Sequence, residues 1–223
     1  SAAPTEPWEG PGRNTVMALR RWEGVCRGDE WCGHMMGYYV YDEVVADAEQ
    51  KEVVRRHGSA LVDHLMANDF NMMDVDGTHT RWSVWSPASL NHDPEWIPDK
   101  SQNSMELLAF LKLAYYMTGN MKYQEHYLRL IKKEHYLDNM VGLLHQNPAW
   151  FIYFDVILQA YLYPILLKCE NDPILLSFYQ EQMDKWMEKR KGDKNPLINF
   201  FYCYSRNKKT ELSASVEFLI DTP

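Results

Sequence analysis

Apolar and polar positions alternate along this chain in paired segments, each pair an apolar stretch, a short turn and an amphipathic stretch. The first pair is residues 33–45, broken around Ala46-Asp47-Ala48, then residues 49–68, where Val53, Val54, Leu61 and Leu65 fall at helical spacing with charge between them. A second runs apolar over residues 103–117, turns at Thr118-Gly119-Asn120 and returns over 121–134. A third begins at Pro148, stays apolar to Leu167, turns at Glu170-Asn171-Asp172-Pro173 and returns to Lys191. A fourth opens at Asn195-Pro196, turns near Arg206-Asn207-Lys208 and returns over 212–220. Residues 15–22 read as a short helix after a Pro/Gly-rich lead. Residues 69–100 read as a long polar and aromatic loop, with a tight turn at Asp74-Val75-Asp76-Gly77. A loop of that length in a compact domain is functional or disordered, and its aromatic content argues against disorder.

The first helix of each pair is apolar nearly all round, as an enclosed helix should be; the second is amphipathic, as an outer one should be. The expectation is therefore an all-α fold, an α/α toroid with two concentric layers, against the alternative of an irregular helical bundle. Residues 1–14 read as a linker and 15–223 as one domain. Four hairpins leave the ring incomplete, or the chain is part of a longer protein. In an open arc the first and last inner helices, near residues 38–45 and 200–204, would each lack a neighbour, which predicts self-association across those edges or closure into a tighter ring.

The 223 residues suffice for one sizeable core. The net charge of −8, with scattered basic residues, argues against a nucleic-acid partner. No stretch is apolar enough for a membrane span. The 8 Trp, 14 Tyr and 8 Phe suit either a pocket for a ring-shaped neutral ligand or packing between helices. The four cysteines, Cys26, Cys32, Cys169 and Cys203, have neither zinc-site nor CxxC spacing; disulfides and buried thiols both remain open. No phosphate-binding glycine loop, HExxH helix, GxSxG elbow or EF-hand loop is present, so neither a metal nor a cofactor is expected.

The run Gly28-Asp29-Glu30-Trp31-Cys32-Gly33-His34-Met35-Met36-Gly37-Tyr38-Tyr39 places acid, histidine, glycine and tyrosine at the mouth of an apolar helix. It resembles a signature of bacterial α/α-toroid proteins. Further matches are Asp74-Val75-Asp76-Gly77, Thr80-Arg81-Trp82-Ser83-Val84-Trp85-Ser86-Pro87, Asn103-Ser104-Met105-Glu106-Leu107-Leu108, Thr118-Gly119-Asn120 and Asn195-Pro196. Such proteins are related in architecture to six-hairpin glycosidases and toroidal polysaccharide lyases. The resemblance implies a secreted, periplasmic or cell-surface protein acting on a polysaccharide or oligosaccharide. One departure is that neither Trp31 nor Cys32 supplies the second acid usual near that place.

If inner-helix starts converge on one end of a barrel, the residues gathered there are chemically suggestive. Asp29, Glu30, His34, Glu106 and His145 are the candidate catalytic groups; Trp82, Trp85, Asn103, Asn147, Asn199 and Tyr202 are the candidate substrate-binding groups. Glycoside hydrolysis needs two carboxyls across the scissile bond, and Glu106 or Asp155 could join Asp29 or Glu30. A lyase would instead use His145, Asn147 and Tyr202. Each has a structural alternative: Asp29 and Glu30 as helix caps, His34 as a hydrogen-bonded core histidine, Asn103 to Glu106 as a capping box, residues 145–147 as loop and cap, Trp82 and Trp85 as hydrophobic cover. The functional expectation is a glycan-degrading hydrolase or lyase, against a non-catalytic glycan- or protein-binding domain.

Overall fold

The fold is that of a computed structural model, which describes residues 28–74, 77–145 and 151–221. The expected helix at residues 15–22, Cys26 and Asn147 lie outside these.

The chain is mainly helical. α1 (Gly28–Val40) carries Asp29 and Glu30 in its first turn, where acids complement the helix dipole, and widens into a π-helical turn over Tyr41–Val45. Asp47 then starts α2 (Ala48–Ala67): its carboxylate accepts from the Gln50 backbone N–H at 2.9 Å, and the Gln50 side chain accepts from its own N–H at 3.0 Å. α2 lies close against its neighbours at Gly58, where a Cβ would sit 2.8 Å from Met117 Cε and 3.3 Å from the Tyr38 ring.

The segment read as a loop contains structure of its own. β1 (Asn71–Met73) and β2 (His79–Val84) form an antiparallel hairpin, with Asn71 opposite Val84 and Met73 opposite His79. Its turn uses Gly77 at φ +85°, and the Gly77 N–H donates to the Asp74 carbonyl at 3.1 Å. α3 (Pro87–His92) follows, capped by Ser86.

α4 (Lys100–Thr118) is buried almost without interruption from Gln102 to Ala114 and ends at Gly119, in the left-handed conformation that terminates helices. α5 (Met121–Glu134), started by Asn120, buries only Tyr123, Tyr127 and Leu130. α6 (Tyr136–Val141) is an added short helix. α7 (Tyr153–Cys169) is the second enclosed helix. α8 (Pro173–Arg190) and α9 (Pro196–Arg206) both have proline at the first position behind an Asp172 or Asn195 cap, and α10 (Leu212–Asp221) closes the described chain.

α4 and α7 are the centre of the molecule. α4 packs on α1, α2, α5, α6 and α7; α7 packs on α1, α4, α8 and α9. Beside Cys169, at the end of α7, a buried ion pair locks the two together: Lys112 Nζ lies 2.9 Å from Glu170 Oε1, while the Tyr127 hydroxyl donates to Glu170 Oε2 at 2.7 Å. The first and last of the apolar helices also meet, since Tyr39 and Tyr204 join hydroxyl to hydroxyl at 2.8 Å. Val44 and Val45 of the π-helical turn and Leu219 and Ile220 of α10 stay exposed. Cys32, Cys169 and Cys203 are free thiols. No described helix is long and apolar enough to cross a membrane.

Candidate functional site

α4 begins one turn earlier than the apolar pattern suggests. Asn103, Ser104 and Glu106 therefore lie inside the helix rather than at its cap, and all three are buried. Asn103 donates its amide to the Val84 carbonyl at 2.8 Å, fixing the end of β2 against α4. This contact carries Trp82 and Trp85, two residues either side of the strand's end, to opposite fates. Trp82 is 46% exposed with the Arg81 guanidinium 4.4 Å above its ring, whereas Trp85 is fully buried beside Phe110 and Trp31.

A cleft of about 280 Å³ opens over these elements. Its walls are Gly28 and Asp29 from α1, Trp82 from β2, Asp99, Gln102, Asn103 and Glu106 from the α4 end, and Ile152, Phe154, Asp155 and Leu158 from the α7 end. That volume is at the small end of ligand pockets and suits one or two rings of a ligand at a time.

Glu106 is the centre of the cleft floor. It is 2% exposed and receives donors on both oxygens: Trp85 Nε1 gives to Oε2 at 2.7 Å and Gln102 Nε2 to Oε1 at 2.9 Å. The Cys32 thiol is a third donor. Burial nevertheless pushes the Glu106 carboxyl up to about 7; the three donors oppose that rise and the nearby Asp155 charge adds to it. Asp155 is pushed up to about 6, by burial first and by Asp99 second. Asp99 is itself raised by burial, with Arg81 opposing. The Cys32 thiol is driven far up, chiefly by burial and then by Glu106, which keeps it a hydrogen-bond donor rather than a thiolate. Two carboxyls from different helices thus have proton affinities near neutrality in one cleft, the pattern of acid–base sites.

The remaining candidates are divided. Asp29, Trp82, Asn103 and Glu106 line the cleft, and Trp85 sits directly behind Glu106. His34 is exposed one turn along α1, its ring stacked on Tyr38. Glu30 is half-buried on α1 and is not among the lining residues. His145 is exposed at the end of the 3-10 turn after α6. Asn199 is buried elsewhere, donating to Ser215 Oγ at 2.8 Å to tie α9 to α10. Tyr202 borders a second, larger concavity of about 540 Å³ between α8 and the α9–α10 loop. There its hydroxyl donates to Asp184 at 2.9 Å. Hydrogen bonds from Arg206 hold Asp184 well below the usual carboxylate range, and Lys208 and Tyr202 add to the effect. That concavity contains an ion-pair cluster in which cations outnumber carboxylates, not a carboxyl poised to exchange a proton.

Asp99, Gln102 and Gln159 were not among the candidates. Their signal is helical spacing inside apolar segments: Gln102, Asn103 and Glu106 share one face of α4, as Asp155 and Gln159 share one face of α7. Among the described residues no group of three or more His, Cys, Asp or Glu is arranged to hold a metal ion. No protein-family model, no curated protein and no solved structure matches the chain.

Proposed function

We propose that this protein is a glycan-degrading hydrolase, with Glu106 as the general acid and Asp155 as the partner carboxyl in the cleft. The observation that carries the reading is the pair itself: carboxyls of α4 and α7 in one cleft, held near 7 and near 6 by burial, with no Lys or Arg in the cleft wall among the described residues. A buried acid of this kind is costly to ionise and of use where a proton must be given to a leaving oxygen at neutral pH. The half-exposed Trp82, with Arg81 stacked on its ring, supplies an aromatic surface for a sugar ring at the cleft mouth.

The acidic wall supports a neutral rather than a uronate substrate, since Asp29, Asp99 and Asp155 would repel a sugar carboxylate. It also supports hydrolysis over elimination, as Tyr202 and His145 are not part of the cleft. The toroid reading belongs to the same proposal: α1, α4, α7 and α9 are the inner layer, with α2, α5, α8 and α10 as their returning partners, and the Tyr39–Tyr204 contact draws the two ends together. A polysaccharide substrate implies export from the cell.

Incubation of the purified protein with a panel of neutral and acidic polysaccharides tests this. New reducing ends without an unsaturated product are expected on a neutral glycan. Ultraviolet-absorbing product would indicate a lyase, and tight binding without cleavage a glycan-binding domain.

A further inference from the structure

Behind Glu106 a line of buried polar side chains runs away from the cleft across three helices. Gln102 on α4 gives its amide to Glu106; Gln159 on α7 gives its amide to Gln102 Oε1 at 2.9 Å; Trp186 on α8 gives its indole N–H to Gln159 Oε1 at 2.7 Å. None of the four is more than 6% exposed, so water does not complete the line. Most of the cores of α4, α7 and α8 are apolar at these depths, and two glutamines there need a reason.

The direction of the line is set by its far end. An indole N–H can only donate, so Gln159 must turn its oxygen toward Trp186 and its nitrogen toward Gln102. Gln102 must then accept from Gln159 and give its nitrogen to Glu106. A second donor-only group, Trp85, closes on the other oxygen of Glu106. We propose that Trp186, acting through Gln159 and Gln102, is a positioning residue that compels Oε1 of Glu106 to accept, as Trp85 compels Oε2, and so sets the orientation and proton affinity of the cleft acid.

The consequence is specific. With Trp85, Gln102 and Cys32 all donating, a proton arriving on Glu106 finds no acceptor behind it among the described residues and is held toward the cleft, where a leaving oxygen would take it. Without the Trp186 donor, both amides are free to turn over; Gln102 would then offer its oxygen to Glu106, and the protonated carboxyl would be retained facing inward. The other groups that face Glu106 are Cys32 of α1, Trp85 beyond β2 and Asp155 of α7, with Asp29 and Asp99 completing the cleft wall. None of these is altered by the changes below.

This inference rests on the reading of Glu106 as the cleft acid, and its test does not require a substrate. The whole chain is titrated between pH 5 and 9 by NMR, following the Glu106 side-chain carbon and the Trp186 indole N–H. In the wild type the indole signal is expected to move with the same midpoint as Glu106. In Trp186→Phe, and independently in Gln159→Met should the first fail to fold, the Glu106 midpoint is expected to rise by about one unit, the loss of one hydrogen bond to a carboxylate. Tyr179→Phe removes a buried hydroxyl from the same helix α8, hydrogen-bonded to Tyr127 at 2.6 Å, and should leave the midpoint unmoved. An indole signal that stays flat through the Glu106 titration, or a midpoint that Trp186→Phe and Gln159→Met leave in place, overturns the proposal. A relay that behaves as stated in a protein that cleaves no glycan would retire the hydrolase reading and leave the relay standing.

Discussion

Trp85 Nε1 donates to Glu106 Oε2 across 2.7 Å, linking the residue just beyond β2 to the middle of the most enclosed helix. The contact joins two decisions of the fold: the hairpin that ends against α4, and the burial of a carboxyl with no cation beside it among the described residues. Trp85→Phe keeps the packing and removes the donor. The expected result is a higher proton affinity for Glu106, with the alkaline limb of any activity profile displaced upward by about one pH unit. A profile identical to wild type would mean that this hydrogen bond does not tune the acid.

Stability should carry the mark of Glu106. Its folded carboxyl is raised from 4.5 to about 7, so between those values the native chain binds more protons than the unfolded one. Stability from this group is full below about pH 4.5 and is lost as pH rises through about 7, a change on the order of 3 kcal/mol. Asp155 acts in the same direction between 3.8 and about 6. Denaturant midpoints measured from pH 5 to 8 should fall, and in Glu106→Gln that fall should shrink.

Activity should peak in a narrow window. A general acid near 7 and a partner near 6 act together only while Glu106 holds its proton and Asp155 has lost its own. The kcat/KM profile on a responsive glycan should be bell-shaped with its maximum between about pH 6 and 7. A flat profile across that range would separate the two carboxyls from the chemistry.

The paired pattern of apolar and amphipathic segments was sufficient to read the helices of the four pairs, and α5 has the very limits that its spacing indicated, but the short α3 and α6 escaped it. What it hid came from local geometry. The stretch His79-Thr80-Arg81-Trp82-Ser83-Val84 is a strand because it pairs with residues 71–73, a partner too short to announce itself. Glu106 stood out in the sequence both as a candidate catalytic carboxyl and as the acid of a capping box. It became the cleft floor because α4 starts at Lys100 and turns Asn103 and Glu106 inward. His34 looked central because of its glycine neighbours, yet one turn of helix carries it to the outside, where Gly33 and Gly37 face open space. Tyr202 had the right chemical type, but its partner Asp184 lies on the preceding helix α8, and together they face a different concavity.

The Lys112–Glu170 pair makes a stability prediction independent of the cleft. Glu170 Oε1 also accepts from the backbone N–H groups of Asn171 and Asp172, so it anchors the α7–α8 turn. Lys112→Met removes the cation paired with the buried Glu170 carboxylate and should cost about 3–5 kcal/mol, read as a large drop in melting temperature. A loss below 1 kcal/mol would show that water reaches Glu170.

Trp82 should behave in the opposite manner. Trp82→Ala at a half-exposed position is expected to leave stability within about 0.5 kcal/mol while raising KM up to about tenfold through the lost stacking face. Thermal melts beside saturation curves decide it; an unchanged KM removes Trp82 from the binding site.

The central claim is that Glu106 gives the proton in glycan cleavage. Release of reducing ends by the wild type and by Glu106→Gln, at pH 6.5 on the most responsive polysaccharide, tests it most directly. The account predicts a loss of about 10²–10⁴-fold in kcat with the melting transition retained. Equal rates in the two proteins, or no cleavage by the wild type of any glycan in the panel, would contradict it.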